Sequence, residues 1–438
     1  MRAALSLVAL AVLGSACSHP DTPPLPPPTT AAPPSSTTTA ASDPPAKAAK
    51  DAVPTAAVTK PAAAGALGSD SFTRSLFGTI GKAEKSNFSF AGGNLRDALV
   101  AVALGAKGKT AEELGKVLSL PAAPADIEAE AKRERAVWHE AMGEAELVVA
   151  ARLWHDATQK LAPDYAAQAK EVLGAEPQGV DFLGKPDAAR KSINDWAKDK
   201  TAGKITELLA AGSIDARTRL VATSALYFKS PWQNAFVESQ TQPAPFTSGK
   251  TVKQVPTMHR RMQVRSATQP GHVAVDLPYS KSGISMLVVA TTSATGSTAE
   301  LEERFGSQGL AGLQEGLELV DANVALPKFG FRAGGSMVPA LKSMGLKEPF
   351  GRSADFSGLF GASKEPLGIS DVVQRTFIAV DEKGTEAAAA SAVVVSIRSA
   401  PIGQPREVKI DRPFLFFLHD SAGHVLFAGR VADPTTAP

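Results

Sequence analysis

The stretch Glu382–Ser399 reads EKGTEAAAASAVVVSIRS. A charged, glycine-containing hinge opens it, a run of small and β-branched residues follows, and Ser396-Ile397-Arg398-Ser399 closes it with Pro401 just beyond. At strand periodicity Thr385, Ala387, Ala389, Ser391, Val393 and Val395 share one face, and the only charge inside the run, Glu386, lies on the other. A strand built this way can slide between two neighbours and bury that face without burying a charge, which would be very costly. A second reading stays open, because alanine has the best helix propensity and Thr385-Glu386 could cap an exposed helix. Three consecutive valines and then Ser-Ile-Arg-Ser continue a helix poorly.

The N-terminus looks like a targeting segment. Met1-Arg2 is a minimal basic start, and Ala3–Leu13 is apolar but too short to span a membrane. Gly14-Ser15-Ala16 then precede Cys17, the only cysteine in 438 residues. The arrangement is similar to a bacterial lipoprotein signal over residues 1–17 with Cys17 as the lipidated first residue, although Leu13 lies one place further upstream than usual. Ordinary secretory cleavage is the alternative. Either way the expectation is an exported protein, placed as an envelope lipoprotein (outer membrane or surface) or secreted. A lone cysteine excludes an intramolecular disulfide. Residues 18–68 are rich in Pro, Ala, Thr and Ser and nearly free of large apolar side chains, so they read as a disordered or polyproline-like spacer.

Residues 69–434 have globular composition. The formal net charge of +2 and the interleaving of basic with acidic residues give no reason to expect nucleic acid. Lys132, Arg133 and Arg135 sit among glutamates on a helical pattern and read as a solvated face. Helical periodicity marks Leu95–Leu104, Thr110–Leu118, Pro163–Leu173 and Asp187–Thr201, whereas Leu147–Leu153 and Val221–Phe228 read as strands. The second half is mostly strand: Val273–Leu277, Ser285–Ala290 and a single run Val320–Phe331, with one helix at Met337–Leu346. Two apolar strands, Phe414–His419 and Val425–Val431, end the chain around the turn Asp420-Ser421-Ala422-Gly423 and should lie in the core. The loop Gly105–Lys109 lacks the first glycine of a phosphate loop, since Ala103 stands there. No HExxH, GxSxG or cysteine cluster occurs and the histidines have no metal spacing, so no cofactor, metal or catalytic residue is expected.

NDWAKDKTAGKI (Asn194–Ile205), SALYFKSPWQNAF (Ser224–Phe236), APF (Ala244–Phe246), LPY (Leu277–Tyr279), SML (Ser285–Leu287), LPKF (Leu326–Phe329), ADFSGL (Ala354–Leu359), RPFLFFL (Arg412–Leu418) and VLFAGRVADP (Val425–Pro434) follow one another in that order. Each is weak alone. In this order, with the hinge GTEAAAASA, they resemble the serpin family, and the hinge is similar to that of its inhibitory members. The resemblance implies an α+β single domain of about nine helices and three β-sheets, with an exposed reactive-centre loop at about residues 382–405.

It also implies a mechanism. A serine protease attacks the bait residue, the freed loop inserts as a new strand into the large sheet, and the acyl-enzyme is trapped before hydrolysis. The hinge residues would be Glu382, Gly384, Thr385, Glu386, Ala387, Ala389 and Ser391. The reactive bond would be Arg398–Ser399, with Arg398 at the seventeenth position counting from Glu382. Arginine there implies a trypsin-like serine protease as covalent partner of a monomeric inhibitor. A register shift would make Ile397 or Ser399 the bait, and Arg406 is a second cleavable arginine nearer the next strand. The family's polar cluster under the sheet, the shutter, falls on Asn94, Ser224 and Gln374, where asparagine and histidine in relatives are replaced by serine and glutamine. Amide and hydroxyl groups at these three positions could bond one another and would not titrate. The competing function is a non-inhibitory surface binding module on the same fold.

Overall fold

The computed structural model describes residues 67–360, 367–385 and 404–436. Nine α-helices occur among them: α1 (Gly68–Ala83), α2 (Gly92–Ala103), α3 (Gly108–Leu118), α4 (Pro124–Met142), α5 (Pro163–Leu173), α6 (Pro186–Lys200), α7 (Ala299–Leu313), α8 (Val338–Ser343) and α9 (Ser357–Phe360). The first strands in chain order are β1 (Phe88–Phe90), β2 (Glu146–Asp156), β3 (Gln178–Val180), β4 (Leu220–Pro231) and β5 (Gln242–Ser248). Then come β6 (Thr251–Gln269), β7 (His272–Pro278), β8 (Ser285–Thr291), β9 (Glu318–Pro327) and β10 (Phe329–Ser336). The last are β11 (Asp371–Val380), β12 (Gly384–Thr385), β13 (Arg406–Lys409), β14 (Phe414–His419) and β15 (Val425–Val431).

Local chemistry accounts for the element ends. Proline at the first turn starts α4, α5 and α6, where its missing N–H costs nothing, and Gly174 in the left-handed conformation ends α5. One face of α3 (Thr110, Leu114, Leu118) and one of α6 (Ala189, Ile193, Ala197) are buried at four-residue spacing. Helix α2 differs, being buried nearly all round, from Leu95 through Val102, as a central helix must be. Its close approach to α1 needs Gly92, since a Cβ there would strike the Thr73 side chain.

Among the described residues the strands form two hydrogen-bonded networks. The larger runs β1-β15-β14-β8-β7-β6-β9-β13, with β5 on β6. The three sheets expected from the resemblance merge to two because β6 is shared: its start pairs with β5, its middle with β9 and its end with β7. The terminal hairpin β14–β15 is wholly buried within this network, as expected. The smaller network runs β10-β11-β12-β4-β2-β3.

Two expectations need correction. The single strand Val320–Phe331 is two strands broken at Lys328, and they belong to different networks. The helix read at Met337–Leu346 keeps only Val338–Ser343.

Within the smaller network β4 and β11 are parallel neighbours from Val221↔Asp371 to Tyr227↔Phe377. Beyond that point they diverge, and β12 sits between them, with Thr385 opposite Val380 on one side and Ser230 on the other. The chain entering the hinge is thus already strand at Gly384-Thr385.

Candidate functional site

The fork between β4 and β11 brings the hinge and the shutter onto one pair of strands, at opposite ends of their contact. At the upper end Gly384 lies so close to Ser230 and Pro231 that a Cβ would overlap their backbone, so only glycine fits. Thr385 is buried, and its hydroxyl meets the Tyr279 hydroxyl. Tyr279 is itself stacked on Trp232 at 4.4 Å between ring centroids. The Trp232 amide donates to the Lys383 carbonyl at 2.9 Å, and its indole Nε1 donates to the Asp381 carbonyl at 3.0 Å. Asp381 Oδ1 accepts from the Lys383 amide at 2.8 Å, closing the turn that aims the chain into the fork.

Glu382 anchors this turn. Its carboxylate accepts from Thr241 Oγ1 at 2.7 Å and from Lys328 Nζ at 2.8 Å, while its carbonyl accepts from the Phe236 amide at 2.8 Å. Burial would raise the carboxyl's pKa, but the hydrogen bonds from Lys328 and Thr241 outweigh it and hold the group below its ordinary value. Lys328 is the residue at the break between β9 and β10, so the break missed in the sequence positions the cation on the hinge acid.

At the lower end Gln374 is wholly buried and stands opposite Ser224 in the strand register. Gln374 Nε2 donates to Ser224 Oγ at 2.6 Å and to the Ala91 carbonyl at 2.9 Å, and Gln374 Oε1 accepts from the Ala91 amide at 3.0 Å. One amide therefore ties β11 to β4 and both to the start of α2. Nearby, Ser89 Oγ on β1 and Thr376 Oγ1 on β11 lie 2.8 Å apart.

Asn94 departs from the expectation that three side chains bond one another. It reaches Ala225 instead, Nδ2 to the β4 carbonyl at 3.3 Å, and does not join Ser224 or Gln374. Three residues beyond Ala91, its side chain starts too far along the helix to meet the amide that the Ala91 backbone meets.

Ser224 and Gln374 thus lie on the β4–β11 pair, Gly384 and Thr385 on β12 between them, Glu382 in the turn before β12 and Asn94 on α2. Glu386, Ala387, Ala389, Ser391, the Arg398–Ser399 bond and Cys17 lie outside the described residues. Tyr279, Trp232, Lys328, Thr241 and the Ala91 backbone were not singled out from sequence. Tyr279, Trp232 and Lys328 fall inside quoted motifs (LPY, SPW, LPKF), the one signal that could have found them. Among the described residues no acidic, histidine or cysteine group is arranged to hold a metal ion.

The model of the family described as Serpin (serine protease inhibitor) matches residues 68–434. Leukocyte elastase inhibitor A of Mus musculus is 32% identical over 378 residues, covering 83% of this chain and 97% of that protein. An uncharacterised serpin-like protein of Thermococcus kodakarensis is 32% identical over 382 residues, covering 83% and 84%. Among solved structures, Serpin48 of the insect Tenebrio molitor superposes with a TM-score of 0.74 at 32% identity, covering 84% of this chain and 97% of that one. Uncleaved ovalbumin gives 0.73 at 26% identity, covering 84% and 100%. With the match running from the first residue of α1 past the end of β15, the chain belongs to the serpin family.

Proposed function

We propose that the protein inhibits trypsin-like serine proteases as a suicide substrate, and that it is exported and held at the cell envelope through a lipid on Cys17. The observation that carries this reading is the seating of Gly384-Thr385 at the mouth of the β4–β11 fork, where the next residues of the chain would extend the same strand. Thr385 already occupies the face on which Ala387, Ala389 and Ser391 follow, so insertion would bury small side chains and leave Glu386 on the other face. In the reaction the protease serine attacks the Arg398 carbonyl, the Arg398–Ser399 bond breaks, and the new Ser399 amine takes the proton from the protease's general base. The chain from Thr385 to Arg398 then enters the fork while its C-terminal end is still esterified to the protease.

The domain from residue 67 onward, incubated with trypsin and run on denaturing electrophoresis with mass spectrometry, tests this. The expected result is a covalent complex that survives denaturant and a released peptide beginning at Ser399. Cleavage there with trypsin fully active would refute inhibition and favour a surface binding module.

A further inference from the structure

Helix α6 and the segment after it cover the closed part of the β4–β11 pair, on the face opposite Ser224 and Gln374. Ile193 of the helix and Ile205 of the segment share one buried cluster with Tyr227 of β4 and Phe377 of β11. The segment is locked to the helix. Asn194 Oδ1 accepts from the Leu208 and Leu209 amides at 3.0 and 2.8 Å, and Thr201 Oγ1 accepts from the Ile205 amide at 3.0 Å. Helix and segment therefore form one body, a strap across the path into the sheet.

The strap is fastened by cations and aromatic rings to both halves of the sheet. One half is β2 with β4, paired from Glu146↔Lys229 to His155↔Leu220. The other is β10 with β11, paired from Phe329↔Val380 to Ser336↔Val373. On the first half Trp196 of the strap stands edge-on to Trp154, with 5.4 Å between ring centroids. The Arg152 guanidinium lies over Trp154 at 5.5 Å and over Trp196 at 5.2 Å. Trp154 Nε1 donates to Thr223 Oγ1 of β4 at 2.8 Å, which fixes this fastening to β2 and β4. On the second half Lys204 Nζ of the strap lies 5.6 Å from the Phe377 ring centroid. Arg332 Nε donates to the Lys204 carbonyl at 3.2 Å, and Arg332 is itself stacked on Phe377, 5.2 Å from Cζ to the centroid.

Phe377 faces Tyr227 at the last rung before β4 and β11 diverge. A strand entering between them must widen that rung by one more interstrand spacing, about 4.8 Å. Phe377 and Arg332 are register partners, so they leave β4 together. The Lys204 ammonium then falls outside the roughly 6 Å reach of a cation–π contact, and its carbonyl loses Arg332. The alternative is to tear the strap from Trp154, which is wholly buried, whereas Arg332 is exposed. The fastening at Lys204 yields first. We infer that Lys204 and Arg332 are positioning residues for strand entry, forming on Phe377 a catch that holds the strap closed and limits how fast a segment enters. This catch rests on the insertion reading proposed above.

A fluorescein-labelled peptide of residues 385–398, incubated with the intact chain and followed by anisotropy, reports strand entry without a protease. Arg332→Gln and Phe377→Leu should each take up the peptide about three- to tenfold faster than wild type. Combined, they should give less than the product of the two effects, because both act on one catch. Arg332→Lys, which keeps a cation over the ring, should stay within about twofold of wild type. Arg332→Gln should leave the urea midpoint of unfolding unchanged, which separates a catch from a general loosening. Equal uptake rates, fully multiplicative effects or no uptake by any form would overturn the catch. Trapping of trypsin is measured on the same samples. Faster uptake in Arg332→Gln while every form is merely cleaved would keep the catch and remove the inhibitory reading. Trapping with equal uptake rates would remove the catch alone.

Discussion

Replacing Gln374 by alanine should damage the sheet much more than replacing its partner Ser224, although the two share a bond. In Ser224→Ala the amide of Gln374 keeps both contacts with Ala91, and one buried hydrogen bond is lost. The second Nε2 hydrogen of Gln374 is then left without an acceptor, and the cost is about 1–2 kcal/mol. In Gln374→Ala the Ala91 carbonyl still accepts from the Leu95 amide at 3.1 Å, but among the described residues the Ala91 N–H has no other acceptor, and Ala91 is wholly buried. The Ser224 hydroxyl loses its partner too, and a void the size of the amide is left. An orphaned buried N–H costs about 1–3 kcal/mol and the void adds to it, so the total is roughly 3–4 kcal/mol.

Thermal and urea unfolding of the two single variants and the double variant measures this. Gln374→Ala should lower Tm by roughly 4–5 °C, and Ser224→Ala by no more than about 3 °C. In the Gln374→Ala background the serine hydroxyl has already lost its bond, so adding Ser224→Ala should cost nothing or stabilise. The coupling between the two positions is then about 1–2 kcal/mol. If Gln374→Ala matched Ser224→Ala, the Ala91 contacts would carry no weight. If the effects added, the bond across the strands would not exist in solution.

Three further outcomes follow from the same geometry. Gln374→His should make heat-induced polymerisation depend on pH between about 5 and 8, because a protonated imidazole cannot accept from the Ala91 amide, whereas the wild type stays flat there; equal profiles would remove the shutter role. Thr385→Arg puts a charge against Val380, Ser230 and Tyr279 in a buried slot, so trypsin should cleave the variant rather than be trapped, raising the stoichiometry of inhibition several-fold; an unchanged titration would refute the insertion path. His419 is buried 3.0 Å from Asp276; burial would lower its pKa, but Asp276 overrides this and raises it. Its stabilisation is therefore complete below the ordinary histidine value and is lost as pH rises through the raised one, so the stability gap to His419→Gln, measured by urea unfolding, should close with rising pH; a gap that widens would reverse the sign.

What could be read from sequence followed the strength of local signals. Proline at the start and glycine at the end bound α5 at Pro163–Leu173 directly, and the Asp420–Gly423 turn between two wholly apolar runs placed the terminal hairpin. Val320–Phe331 failed because both halves are strand, so periodicity cannot see that the chain changes partner at Lys328. β6 escaped notice because each part faces a different neighbour, and its burial pattern alternates only in places. At the site, Gln374 and Ser224 were legible as side chains in family motifs. Ala91 was not, since it acts through its backbone, and a backbone donor leaves no mark on residue identity.

Helix α2 joins these features physically. Ala91, the residue that caps its start, is gripped by Gln374 from β11, and Asn94 holds the Ala225 carbonyl of β4. Parting β4 from β11 must break the Gln374–Ser224 bond, but both Ala91 bonds can remain with β11 while the Ala225 bond remains with β4. The helix is therefore held by both strands at once, through separate residues less than a full turn apart. A chain entering the fork from Thr385 works against that double hold. The hold's strength rests on neutral amide and hydroxyl groups, and so does not change across the pH range in which histidine would titrate.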